Sequence, residues 1–294
     1  MSEHHPTLRW RTLIEDAARD LAAAGVPSPD HDARALAAFA LGRDRLPALA
    51  GLEVDPDAGA TFSALVERRR RREPLQHLVG STGFRYLTLA VEPGVFVPRP
   101  ETEVVAQVAI DEATRLAAEG RAPVVVDLCC GAGGIAVSVA TEVPASQVVA
   151  VDISRQAVAL TRRNALAAGV GAIRLEQADV AEPDLLADLD DNVDVVISNP
   201  PYIPPDGVPV DPEVRDHDPA LALYGGGPDG LDVPRAVAAA ARRLLRPGGL
   251  FVMEHAEVQD ASARALASAA GFDEVRTIAD LTGRPRAVVA RLRR

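Results

Sequence analysis

The chain has 294 residues with 42 acidic and 31 basic side chains, a formal net charge of −11, and is 48% hydrophobic and 25% charged. That length suits one large or two modest domains with ample core-forming material, and the composition excludes a disordered or fibrous chain. The negative charge argues against an indiscriminate phosphate-backbone binder, and an aromatic share of 3% implies a core built from Ala, Val and Leu.

The first ten residues lack the basic-then-apolar pattern of a secretory signal, and no run approaches the roughly 18 apolar residues that span a bilayer. The expectation is a cytoplasmic protein with no membrane partner. Residues 8 to 72 read as helical, with Leu13, Ala17 and Leu21 at three- and four-residue spacing and breaks at Gly25-Val26-Pro27 and Asp55-Pro56. This gives a small helical domain, residues 1–74. It ends in five arginines, Arg68 to Arg72, read as a solvated helix end, with contact to an acidic or nucleic-acid partner as the alternative. From Leu75 to Val97 short β-like runs with turns at Gly80, Gly83 and Pro93-Gly94 suggest a β-hairpin linker.

After Pro98, in a domain over 98–294, short apolar runs alternate with helical stretches. The expected strands are Val124–Cys129, Gln147–Ile153, Ala172–Ala178, Val193–Ser198 and Leu250–Glu254, with a closing hairpin of Glu274–Ala279 and Arg286–Leu292. This alternation marks an open, mostly parallel sheet flanked by helices, whose ligands bind outside the carboxyl ends of the strands. The two cysteines, Cys129 and Cys130, are adjacent and poorly placed for disulfide geometry, so a reducing compartment fits.

Two constellations stand at strand ends. The first strand after Pro98 runs into Asp127-Leu128-Cys129-Cys130-Gly131-Ala132-Gly133-Gly134, a glycine-rich turn that lets a ligand approach the backbone and meets it with helix N-terminal N–H groups. Asp152 closes the next strand about 20 residues on, where a carboxylate can accept both hydroxyls of a ribose. Together they indicate an adenosine-containing cofactor, with NAD and S-adenosylmethionine both open. After Val193–Ser198 comes Asn199-Pro200-Pro201-Tyr202. The prolines stiffen the turn and remove two N–H donors, so carbonyl oxygens can face a ligand. The tetrad suits a planar nitrogen substrate, an amide or exocyclic amine, whose hydrogens go to the Asn199 side-chain oxygen and the Pro200 carbonyl while Tyr202 packs on its face.

With the turn from Asp127 to Gly133, this tetrad resembles the class I S-adenosylmethionine-dependent methyltransferases of planar nitrogens. Glu73-Pro74-Leu75-Gln76-His77-Leu78-Val79-Gly80 and Val95-Phe96-Val97-Pro98-Arg99-Pro100-Glu101-Thr102-Glu103 are similar to one family, the peptide chain release factor N5-glutamine methyltransferases. The resemblance implies an α/β fold: a Rossmann-like methyltransferase domain with a mostly parallel seven-stranded sheet, a small N-terminal all-α domain that helps dock the release factor, and a β-hairpin bridge. It implies S-adenosylmethionine as cofactor, held by Asp127, Cys129, Cys130, Gly131, Ala132, Gly133, Asp152, Asp179, Val180 and Asn199. Phe96, Arg99 and Glu101 are expected close to it. Asn199, Pro200, Pro201 and Tyr202 would hold the glutamine amide, with Asn199, Pro200 and Tyr202 as the catalytic set. The implied partners are class I release factors, met by a monomer with no stable nucleic-acid partner.

One position departs from the family: Cys129 stands where glycine is usual, so a positive φ there would be strained. His4, His5, His77, His217 and His255 lack the paired spacing of a metal site, and no metal is expected. The acidic loop Asp206 to Asp218 reads as a mobile segment over the active site, with a solvated surface loop as the alternative. The rival readings are a glutamine methyltransferase for another protein and an adenine-N6 nucleic-acid methyltransferase. The latter calls for a basic groove or an inserted recognition region, and the five-arginine run is the one feature in its favour.

Overall fold

The computed structural model describes residues 9–49 and 52–293; His4 and His5 lie outside them. In chain order the elements are α1 (Trp10–Ala23), α2 (Pro29–Ala40), α3 (Pro56–Arg70), α4 (Leu75–Val79), β1 (Ser81–Phe84), β2 (Leu87–Ala90), α5 (Thr102–Ala118), β3 (Val124–Leu128), α6 (Gly134–Glu142), β4 (Gln147–Asp152), α7 (Arg155–Ala167), β5 (Arg174–Gln177), β6 (Val193–Ser198), α8 (Pro212–His217), α9 (Ala220–Leu223), α10 (Asp232–Leu244), β7 (Leu245–Glu254), α11 (Asp260–Ala269), β8 (Phe272–Ala279) and β9 (Pro285–Leu292). They form two compact units, one the chain through Ser81 with Pro209–His217, the other Thr82–Val208 with Asp218–Arg294. No helix among the described residues is long and apolar enough to cross a membrane.

In the first unit the three- and four-residue apolar spacing of α1 buries Ile14, Ala17, Ala18 and Leu21 against Leu36, Phe62 and Leu65, the one-stripe burial of an amphipathic helix. Trp10 meets Phe62 edge-on, 5.5 Å between ring centroids. Asp55 caps α3 by accepting from the backbone N–H of Asp57 and Ala58 at 3.1 and 3.0 Å, with Pro56 at the first helical position.

Two readings are corrected here. Leu75–Val79, expected as part of a hairpin, is helical: Pro74 starts the turn in an extended conformation and Gly80 ends it at φ 72. The hairpin is β1 and β2, turning at Arg85-Tyr86 rather than Gly83. The arginine run is a solvated helix end only in part: Arg68, Arg70 and Arg71 are exposed, while Arg69 and Arg72 are held by carboxylates. Arg69 is buried and bonds Asp32 at 2.8 Å and Glu213 at 2.7 Å. Arg72 reaches Glu213 at 2.5 Å, Arg68 bonds Glu73 at 2.8 Å, and Arg70 and Arg71 share Glu67. Glu213 belongs to the segment expected to be a mobile loop, so Pro209–His217 is instead fastened within the helical unit by two guanidinium groups.

The second unit is a seven-stranded sheet of order β5-β4-β3-β6-β7-β9-β8, parallel from β5 to β7, with β9 antiparallel to both β7 and β8. The β3, β4 and β6 sequences are apolar on both faces because helices cover both sides. Val125, Ala150, Val195 and Ile197 pack with α5, α6 and α7 on one face; Val126, Val149, Val151 and Val196 pack with α10 and α11 on the other. β4 lies on one side of β3 and β6 on the other, so chain direction reverses at β3 and opens a crevice at its carboxyl end.

Candidate active site

Strand pairing sets the site. Leu128 of β3 is opposite Ser198 of β6, and the Ser198 hydroxyl bonds the Leu128 carbonyl at 2.7 Å, which brings the turn after β3 alongside the one after β6.

In the first turn Cys129, Gly131 and Gly133 have φ 63, 57 and 83. The turn is pinned from outside: Cys130 N–H donates to Val151 O at 3.0 Å, Thr161 Oγ1 to Gly131 O at 2.9 Å, and Asn164 Nδ2 to Ala132 O at 2.8 Å. A Cβ at Gly133 would stand 2.7 Å from the Thr161 methyl, so close packing as well as φ demands glycine there, whereas one at Gly131 would meet nothing within 4 Å. Gly131 thus borders open space. Asp152 ties the turn down: Oδ2 accepts Gly131 N–H at 2.9 Å and Oδ1 accepts Ser154 N–H at 2.8 Å. Burial nonetheless raises its pKa, leaving an acceptor that gains from further donors such as ribose hydroxyls.

Asp127 is fully buried beside this turn. Its Oδ2 accepts Ala136 N–H at 3.0 Å, while Oδ1 has no hydrogen-bond partner among the described residues. Burial raises its pKa to about 8, the nearby Asp152 adding to the rise. An orphaned, desolvated acceptor next to a side-chain-free cradle fits a ligand with a cationic end, as S-adenosylmethionine has. Asp179 follows β5 and folds its own turn, Oδ1 accepting Ala181 N–H at 2.9 Å; Ala178 N–H on Asp152 O at 3.2 Å keeps that strand end beside Asp152. Val180 is buried next to it.

Cys129 does adopt the positive φ that the sequence puts at risk of strain. Burial pushes its thiol pKa far up, which leaves it a protonated bystander rather than a nucleophile. Cys129→Gly is expected to raise the melting temperature by about 2 °C, because relief of a left-handed L-residue, roughly 1–2 kcal/mol, exceeds the backbone-entropy cost of glycine, roughly 0.5–1 kcal/mol. Thermal unfolding followed by circular dichroism checks it, and a lower melting temperature would contradict the strain.

In the second turn Asn199 donates from Nδ2 to Thr102 Oγ1 at 3.2 Å, and Thr102 donates to Glu254 Oε2 at 2.8 Å. The Tyr202 hydroxyl lies 3.5 Å from Glu254 Oε1; burial, then the Glu254 charge, raises the phenol pKa. Pro200 is buried and Pro201 half-buried. A buttress that sequence reasoning missed stands behind them. Ile203 N–H bonds Leu223 O at 2.8 Å, Gly225 N–H bonds Ile203 O at 3.0 Å, and Gln259 Nε2 donates to Tyr202 O at 2.8 Å. A Cβ at Gly230 would lie 2.4 Å from Tyr202 O, a backbone clash that no rotamer relieves. Arg99 is ion-paired to Asp218 and stands 5.0 Å over the Phe96 ring. Glu101 precedes α5 and adds its charge near Glu254 and Tyr202. Thr102 and Glu254 were also overlooked; the signal was a lone carboxylate closing the apolar run Leu250–Met253. Among the described residues no group of three or more His, Cys, Asp or Glu could hold a metal ion.

This sheet order with an antiparallel next-to-edge strand, a glycine-rich turn after the switch-point strand and a carboxylate ending its neighbour defines a class I S-adenosylmethionine-dependent methyltransferase. A solved structure, the T. Thermophilus 16S rRNA N2 G1207 methyltransferase in complex with AdoMet and guanosine, shares the fold with TM-score 0.51 at 22% identity, over 72% of this chain and 50% of that one. The PrmC N-terminal domain model matches residues 12–80 and the methyltransferase small domain model residues 89–209. Release factor glutamine methyltransferases of Mycolicibacterium smegmatis and Streptomyces coelicolor are each 48% identical to it, over 96% and 95% of this chain and 97% and 96% of theirs. That of Deinococcus radiodurans is 40% identical over 97% and 99%. The chain belongs to the release factor glutamine methyltransferase family.

Proposed function

We propose that the chain transfers the methyl group of S-adenosylmethionine to the side-chain amide nitrogen, N5, of the glutamine in the Gly-Gly-Gln loop of class I peptide chain release factors. The observation that carries this reading is the Asn199 amide, engaged through Nδ2 on Thr102 and so left to accept through Oδ1, on a proline-stiffened turn beside the glycine cradle. On this reading Gly131, Ala132 and Gly133, with Cys129 and Cys130, hold the methionine end of the cofactor, Asp127 facing its ammonium group. Asp152 holds the ribose, and Asp179 and Val180 border the adenine. Phe96, Arg99 and Glu101 shape the adjoining wall. The cofactor supplies a methyl group on an electron-poor sulfonium, open to a nitrogen nucleophile.

The chain's own task is the nitrogen. A glutamine amide is a weak nucleophile because its lone pair is delocalised into the carbonyl. Asn199 Oδ1 and the Pro200 carbonyl each accept one amide hydrogen, which raises electron density on nitrogen and fixes its direction, while Tyr202 packs on the amide plane. The helical unit is the docking element for the release factor, and the enzyme works as a cytoplasmic monomer without nucleic-acid or membrane partners. The adenine rival is weakened, since Arg69 and Arg72 are committed to Glu213, which leaves Arg68, Arg70 and Arg71 as the exposed part of the run.

The test is transfer of labelled methyl from S-adenosylmethionine to a purified bacterial class I release factor, beside the factor with its Gly-Gly-Gln glutamine changed to alanine, DNA and RNA. Label on the intact factor alone is the expected result. Label on nucleic acid, or on the alanine variant, overturns the proposal.

A further inference from the structure

We infer that Glu254 and Thr102 are positioning residues that decide which end of the Asn199 amide faces the substrate, an inference that rests on the glutamine reading of the site. The two ends of an asparagine amide are nearly isosteric, so packing alone does not choose between them. Hydrogen-bond direction does. Glu254 ends β7 and is 2% exposed. Its Oε2 takes the single proton of the Thr102 hydroxyl at 2.8 Å. Once that proton is committed, the hydroxyl oxygen can only accept, and it accepts from Asn199 Nδ2 at 3.2 Å. Oδ1 is thereby left for the substrate N–H. The reversed amide would set its own N–H groups against those of the glutamine and hold no nitrogen.

The direction is enforced only while Glu254 is ionised, because a carboxylate cannot donate. Glu254 is faced by Thr102 and Glu101 from α5 and the residue before it, by Arg286 from β9 and by Tyr202 from the turn after β6; Arg286 is itself held by Asp280 at 3.0 Å. Burial raises the Glu254 pKa to about 7, Glu101 adding to the rise and Thr102, Arg286 and Tyr202 opposing it. Above that pH the hydroxyl proton is committed to the carboxylate. Below it, protonated Glu254 can donate, the hydroxyl proton is free to turn to Asn199, and both amide orientations are populated.

The experiment measures kcat and KM of the full-length enzyme on an intact class I release factor across pH, with cofactor affinity measured in parallel by calorimetry. Glu254→Gln, neutral at every pH, is expected to lower kcat about tenfold above neutrality and to lose the acid limb of the wild-type profile, which falls toward the variant below about pH 7. Asp127, which is present in both proteins, cannot account for that difference. Thr102→Val is expected to cost about tenfold as well, and Thr102→Ser to restore the rate. The double variant Glu254→Gln/Thr102→Val should be no slower than Thr102→Val alone, since both break one link. KM and cofactor affinity should stay unchanged throughout. If Thr102→Val fails to fold, the profile of Glu254→Gln and the rate of Thr102→Ser still decide. A wild-type rate in Glu254→Gln, an acid limb that survives in it, or additive losses in the double variant overturn the relay while the substrate reading stands. A wild-type enzyme that leaves the factor unlabelled overturns both.

Discussion

Asn199→Ala is expected to lower kcat on the release factor by on the order of 10²–10³ at saturating cofactor, with KM for the factor within about threefold of wild type. The size follows from what the oxygen does. It meets the substrate as one preorganised acceptor in a site where reorganisation costs little, and loss of one such group typically costs about 2.7–4 kcal/mol of transition-state stabilisation. The effect belongs in kcat because the amide hydrogens acquire acidity as nitrogen begins to bond carbon, so the acceptor binds the transition state more tightly than the ground state. The turn itself should survive the change. Its shape is set by Pro200 and Pro201, by the Ser198 bond to Leu128 and by the Ile203, Gly225 and Gln259 contacts, none of which uses the Asn199 side chain. Single-turnover rates at saturating cofactor separate this from a folding defect. Unchanged turnover would remove Asn199 from the chemistry.

The parts of this site that the sequence announces are those governed by local backbone rules. Three apolar strands with a glycine-rich turn, a carboxylate or an Asn-Pro-Pro-Tyr tetrad at their carboxyl ends can be placed from pattern alone, because parallel strands are buried on both faces and ligands sit at one end. The positive φ at Cys129 was signalled not by local rules but by the resemblance, since the family usually has glycine there. What was illegible depends on pairs far apart in the chain. Thr102 and Glu254 are 152 residues apart and meet only because α5 packs across β6 and β7. Gly230 matters because the Tyr202 carbonyl occupies the space of its missing side chain. Leu75–Val79 misled because Gly80 and Gly83 read as hairpin turns, whereas Pro74 and Gly80 bound a short helix of helix-compatible Leu and Gln. The arginine run misled only in part: a charge run on a helix is ordinarily a wet face, as it is at Arg68, Arg70 and Arg71, and nothing local to residues 68–72 reveals that Asp32 and Glu213 wait for Arg69.

Arg69→Met is expected to destabilise the helical unit by about 3–5 kcal/mol, the cost of breaking a buried ion pair from one side. The Arg69 guanidinium bonds Asp32 Oδ2 at 2.8 Å, Glu213 Oε1 at 2.7 Å and the Glu73 carbonyl at 3.1 Å, and the three charged side chains are each less than a tenth exposed. Methionine fills much of the volume, so the loss is electrostatic rather than a cavity: two carboxylates are left desolvated, Asp32 without its guanidinium and Glu213 with Arg72 alone. In the intact protein burial is the largest single influence on Glu213 and raises its pKa, but Arg72, then the Asp211 carboxyl and Arg69, together hold it well below the ordinary carboxylate range. Its contribution is therefore present above the unfolded carboxylate pKa, roughly 4.3, and is lost as pH falls through the depressed folded value. In the variant Glu213 keeps Arg72, and the sign reverses only for the carboxylate left without a guanidinium, whose buried charge is relieved by protonation. The gap between variant and wild type should thus be widest near pH 7.5 and shrink toward pH 4.5. Trp10 is the sole tryptophan of the chain and lies fully buried in the core of this unit against Phe62, so its fluorescence reports on the helical unit specifically during urea unfolding. With a slope of about 1–2 kcal/mol per molar urea, the Trp10 midpoint should drop by at least about 1.5 M at pH 7.5. A midpoint within about 0.3 M of wild type, or a deficit that grows on acidification, would show that Arg69 does not hold these carboxylates in place.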